Sequence, residues 1–115
     1  MLGTKPHIVS GNFHYANEAG KHVVSDGAGI TVPTSDTGFH IYTLEWTSDR
    51  INLYADGVRY STFDVNKASA AGQNPYRKPQ YLIMNLALEG NRFEHSTFPQ
   101  QMIVDYVRVY QKSGQ

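Results

Sequence analysis

The sequence predicts an all-β fold, and three observations carry that prediction. Apolar residues recur at period two along most of the chain. Gly, Pro, Asn and Asp punctuate it at short intervals. Asp56-Gly57 lies between two alternating runs and reads as a two-residue hairpin, because a type I′ turn needs positive φ at both central positions. Many short strands at this spacing lead to an antiparallel β-sandwich or jelly roll. With 115 residues the chain makes a single domain, residues 1–115, long enough for a core but small for two sheets.

Strands are predicted near His7–Tyr15, Lys21–Ser25 and Gly29–Pro33. In the first, Asn12 and His14 alternate onto one face while Phe13 and Tyr15 take the other. Phe39–Thr47 follows, and its stripe of Tyr42, Leu44 and Trp46 reads as a core-facing side. Thr47-Ser48-Asp49 supplies a turn into Arg50–Ala55, and the Asp56-Gly57 hairpin leads on to Val58–Asp64. Asn66–Asn74 is small and polar, a surface loop with room for one helical turn.

The strand Gln80–Leu88 is apolar on both faces, which suits the middle of a sheet. Asn85 interrupts that run, and a buried amide without partners costs roughly 1–3 kcal/mol. Gln101–Gln111 is the last strand. There Asp105 shares a face with Ile103, Val107 and Val109, an expensive place for a carboxylate that is neither paired nor bound to a metal. Eight Tyr and five Phe fit pleated, half-buried surfaces.

Lys plus Arg and Asp plus Glu both number ten, so nothing in the charge balance points to a nucleic-acid or membrane-surface partner. No cysteine is present, which excludes disulfides and leaves the redox compartment open. No apolar run approaches the ~20 residues that cross a bilayer. The N-terminus lacks the basic and apolar regions of a signal peptide.

Phe39–Gly57 (FHIYTLEWTSDRINLYADG), Pro79–Gly90 (PQYLIMNLALEG) and Phe98–Gln111 (FPQQMIVDYVRVYQ) together resemble the second half of the catalytic domain of glycoside hydrolase family 16. The likeness is nearest to its laminarinase-like endo-β-glucanases and runs from Met1 to Gln111. It implies a concanavalin-like sandwich, incomplete relative to the family, and an extracellular parent enzyme. The family does its chemistry with a Glu-x-Asp-x-x-Glu strand, and no such motif occurs in this sequence. In the family that strand runs directly into a segment resembling Met1–His14. The chain is therefore expected to begin just downstream of the catalytic carboxylates, and no catalytic residue is assigned in it.

By spacing alone, Glu89-x-Asn91-x-x-Glu94 is the closest mimic of the motif. Asn91 cannot share a proton as Asp does, and Gly90-Asn91-Arg92 reads as a solvated loop. Glu45 and Asp49 straddle a turn and read as a surface pair. The resemblance turns Asn12, His14 and Asn85 toward a sugar-binding cleft, with Ala87 where some members carry a sugar-stacking Trp. Read without it, His14 is an exposed or core-satisfied histidine and Asn85 a structural amide. Asp105 matches a ligand of the family's structural calcium, an ion that wants ~6–8 oxygens; the alternatives are a salt bridge or an edge position facing water. No cofactor is otherwise required. His7, His22, His40 and His95 have neither zinc-site spacing nor a Cys partner.

The expected function is that of a laminarinase-like domain fragment, inactive alone. A non-catalytic β-glucan-binding module and a purely structural, self-assembling half-domain are the alternatives. Half a sandwich would leave apolar surface uncovered, and ~1,000 Å² of it forfeits on the order of 25 kcal/mol. That exceeds the ~5–15 kcal/mol by which a domain is stable. A two-fold homodimer is the commonest solution and is expected here.

Overall fold

The computed structural model describes residues 3–25, 27–88, 90, 94 and 96–114. Among these residues it forms seven strands and two short 3-10 turns, all strand pairings being antiparallel. No described helix is long and apolar enough to cross a membrane. The chain divides into two compact units, Met1–Gln80 and Tyr81–Gln115.

In the first unit, β1 (Ile8–Gly11) pairs with β4 (Ala28–Thr31), and β2 (His14–Ala16) pairs with β3 (His22–Val24). The expected strand His7–Tyr15 is thus broken in two. The cause is an offset in register: the first ladder ends at Gly11↔Ala28 and the second resumes at His14↔Val24. Two residues on one side then oppose three on the other, the count of a β-bulge. Val9, Phe13 and Tyr15 stay inward along the first side. Across from them the less exposed positions switch from Ala28 and Ile30 to Val23. Phe13 and Ser25 stitch the gap: the Phe13 N–H donates to Ser25 Oγ at 3.1 Å, and the Ser25 N–H donates to the Phe13 carbonyl at 2.9 Å.

The remaining strands form a meander, β5 (Tyr42–Trp46), β6 (Arg50–Ala55) and β7 (Val58–Asp64). Its second turn is the predicted hairpin, with φ of 49° at Asp56 and 80° at Gly57. In its first turn Thr47 Oγ1 accepts from the Arg50 N–H at 3.0 Å.

Phe13, Ile51, Phe63, Val65 and Ala68 form the larger core cluster, with Tyr15, Leu53 and Tyr76 packed against it. Phe13 and Phe63 stack with centroids 4.7 Å apart, and Tyr76 meets Phe63 edge-on at 5.4 Å. A smaller cluster gathers Val9, Val32 and Ala55. The predicted loop Asn66–Asn74 does more than cover the surface. Asp64 caps a 3-10 turn at Val65–Ala68, and Ala68 is fully buried. Asn74 is buried too: its Nδ2 donates to the Val65 carbonyl at 2.7 Å, while its Oδ1 accepts from the Tyr76 N–H at 3.0 Å.

Two expectations are corrected. Tyr42, Leu44 and Trp46 share a face with the buried Ile51 and Ala55, yet they remain exposed at 54%, 59% and 43%. They lie on an outer strand of the meander, beyond the reach of the core. Segments 80–88 and 101–111, read as strands, join no ladder. In the second unit Tyr81, Leu82, Ile83, Ile103 and Val109 are all exposed. A strand exists only against a neighbour, so an alternating segment without one stays unpaired. The described strands form small separate antiparallel sheets.

Candidate functional site

The β2–β3 hairpin brings two histidines together on one exposed face of the first unit. Asn17 closes it, its Oδ1 accepting from the N–H groups of Ala19 at 3.1 Å and Lys21 at 2.9 Å. That turn pairs Ala16 with His22 and His14 with Val24, so the two histidines sit diagonally on the same face. Their rings lie nearly parallel, 11° apart, with centroids separated by 5.3 Å. His14 Nδ1 and His22 Nε2 are 3.1 Å apart, hydrogen-bonded to one another. Below them, the Tyr76 hydroxyl donates to the His14 carbonyl at 2.8 Å and pins the strand to the aromatic core.

Asn12 and His14 are exposed, and Phe13 between them is buried. The Asn12 amide rests against Gly27, where a Cβ would collide with its Oδ1. A groove of about 360 Å³ opens on the other side, between Phe13, Tyr15, Val23, Thr62, Phe63 and Lys67. Neither Asn12 nor His14 lines it. His22 is the member of this cluster that sequence reading missed. The hairpin closed by Asn17 was the signal, because it sets His22 on the face of His14.

Two further polar arrangements occur in this unit. Glu45 Oε2 accepts from Asn52 Nδ2 at 2.7 Å and from the Tyr54 hydroxyl at 2.9 Å, while Thr62 Oγ1 donates to Asn52 Oδ1 at 2.9 Å. The Asn52 bond, then that from Tyr54, holds the Glu45 carboxyl below its usual range. Glu45 therefore works with its cross-strand neighbours rather than pairing with Asp49. The second arrangement joins Thr34, His40 and Asp56. His40 Nδ1 lies 2.7 Å from Asp56 Oδ2, and its Nε2 lies 3.1 Å from Thr34 Oγ1.

In the second unit, Asn85 and Asp105 are exposed, and no hydrogen bond or ion pair holds either side chain among the described residues. No group of three or more His, Asp or Glu side chains gathers among the described residues. Asp105 offers one carboxylate where calcium takes ~6–8 oxygens. Glu89 and Asn91, the start of the spacing mimic, lie outside the described residues, while Glu94 is exposed.

Residues 1–108 match the family model for glycosyl hydrolases family 16. The chain is 34% identical to a beta-glucanase of Rhodothermus marinus over 120 residues, covering 95% of this chain and 41% of that protein. It is 36% identical to glucan endo-1,3-beta-glucosidase A1 of Niallia circulans over 124 residues, covering 96% of this chain and 18% of that one. A solved structure from work on endo-acting O-glycanases, which members of the human gut microbiota express to initiate mucin breakdown, aligns with a TM-score of 0.60 at 26% identity. That alignment covers 68% of this chain and 29% of the other. The chain therefore spans less than half the length of each of these relatives.

Proposed function

Because this chain belongs to glycosyl hydrolase family 16, we propose that it forms part of a β-glucan-binding jelly-roll sandwich and contacts the polysaccharide through Asn12 and His14. Neutral amide and imidazole groups suit sugar hydroxyls, which both donate and accept. The observation that carries this reading is the split of the hairpin: Asn12 and His14 are exposed while Phe13 and Tyr15 are anchored by the aromatic core. Asn85, in the other unit, is proposed as a sugar contact on its own account.

Retaining glycoside hydrolysis uses two carboxyl groups ~5–5.5 Å apart, one as nucleophile and one as acid/base. The sequence holds no Glu-x-Asp-x-x-Glu run, so neither role is assigned to a residue here. The chain alone is proposed to bind glucan without cutting it.

Titration with laminari-oligosaccharides tests the contacts. Alanine at Asn12 or His14 is expected to weaken binding by about 0.5–1.5 kcal/mol, the worth of one net hydrogen bond; unchanged isotherms would remove these residues from the site. Steady turnover of laminarin or lichenin by the chain would overturn the assignment of binding without cleavage.

Self-association is a second element of the proposal, favoured by the uncovered stripe Tyr42, Leu44 and Trp46 on the meander. A two-fold dimer would cover that stripe with a second copy of itself.

A further inference from the structure

We propose that His14 and His22 form a two-histidine site for a divalent transition-metal ion, with copper(II) the tightest-bound. Two imidazole nitrogens on one ion, each ~2.0–2.1 Å from it, stand ~2.8 Å apart in a square-planar cis arrangement and ~3.4 Å apart in a tetrahedral one. His14 Nδ1 and His22 Nε2 are separated by 3.1 Å, between these limits. The ion needs only a pivot of the two rings to aim both lone pairs at one point.

The backbone beneath is already fixed. The register of β2 against β3 puts both side chains on one face, Asn17 closes the turn, and the Tyr76 hydroxyl holds the His14 carbonyl. Both histidines are exposed, so an ion reaches them from water without opening the core. Imidazole suits copper, nickel and zinc, and among these copper(II) heads the affinity order for nitrogen sites. No third His, Asp or Glu completes a group among the described residues, so water takes the remaining positions.

In the metal-free pair one facing nitrogen carries the hydrogen that bridges the rings. On binding, that proton moves to the other nitrogen of the same ring, and both facing nitrogens become ligands. The ion then adds a side-chain clamp to two strands already paired through their backbones, in place of the hydrogen bond between the two rings.

The test uses the whole chain and copper(II) alone. Calorimetry is expected to find one equivalent bound, with electron paramagnetic resonance reporting coupling to two imidazole nitrogens. His14→Gln and His22→Gln should each lower the affinity at least ~10-fold, because one of the two nitrogen ligands is lost. His7→Gln, outside the β2–β3 pairing and with its ring facing Asp36 at 3.5 Å, should leave the affinity unchanged. Binding of one equivalent that survives both His14→Gln and His22→Gln undiminished would overturn the proposal. Paramagnetic broadening in the unmutated chain gives an independent reading: substoichiometric copper must broaden the His14 and His22 ring signals first, and earlier broadening at any other residue would overturn it as well.

Discussion

His40 joins two separate parts of the first unit through its ring, Thr34 on one nitrogen and Asp56 on the other. The bond to Asp56, then a hydrogen bond to the Thr34 backbone, raises its pKa above the usual 6.5. Asp56 is lowered from 3.8, first by the Ile41 N–H that its Oδ1 accepts and then by His40. The signs give a window. The His40 contribution is full below about pH 6.5 and is lost as pH rises through the raised value; the Asp56 contribution is present above about 3.8 and is lost as pH falls through the lowered one. Thermal midpoints measured across pH should therefore peak between these limits, and His40→Gln should remove the decline on the alkaline side. A second residue-scale prediction concerns Asn74, which caps one short turn and satisfies the Val65 carbonyl. Losing a cap costs ~1 kcal/mol and leaving a buried carbonyl unpaired ~1–3 kcal/mol, so Asn74→Ala should lose about 2–4 kcal/mol in urea unfolding. In the sequence Asn74 looks like any loop amide, because its worth depends on a carbonyl nine residues away.

The elements divide by how local their causes are. The Asp56-Gly57 hairpin was legible because both residues tolerate the positive φ that the turn imposes. The break between β1 and β2 was not, since alternation from Val9 to Tyr15 continues unbroken and the offset lies in how the other side pairs. Gly11 marks a packing limit at the end of β1: a Cβ there would collide with Leu53 Cδ1 and stand 3.4 Å from the Tyr60 hydroxyl. Gly11→Ala should destabilise by about 1–3 kcal/mol, the usual range for overpacking, measured as a lower urea midpoint at unchanged slope. Phe63, stacked on Phe13 and met edge-on by Tyr76, is the aromatic centre of the larger cluster. Phe63→Ala should cost about 3–5 kcal/mol, enough to unfold a marginal domain, and circular dichroism would record the loss.

Across the whole chain, exposed apolar side chains dominate the meander's outer strand and the segments 81–88 and 102–110. Surface of this kind is covered in a stable protein, because uncovered sheet faces and unpaired edges recruit other chains. Sedimentation at micromolar concentration is expected to find a particle of twice 12.9 kDa, and Leu44→Lys should return it toward the monomer. A homogeneous monomer at all concentrations would show that the chain covers these residues by itself.

Period-two alternation, turn residues with positive φ and the three family-like segments were enough to fix the all-β class and the family, because each of these signals is written in residues close together. Asn12 and His14 on one face and Phe13 on the other were also legible, since a strand alternates whatever it pairs with. The tertiary structure decided what depends on partners distant in sequence. It placed His22 beside His14, bonded Glu45 to Asn52 and Tyr54, buried Asn74, and left Trp46 and segments 80–88 and 101–111 without a covering layer. Alternation states that a segment can pair and which side is apolar. Only the register and the neighbour that arrives determine whether it does, and what its side chains then touch.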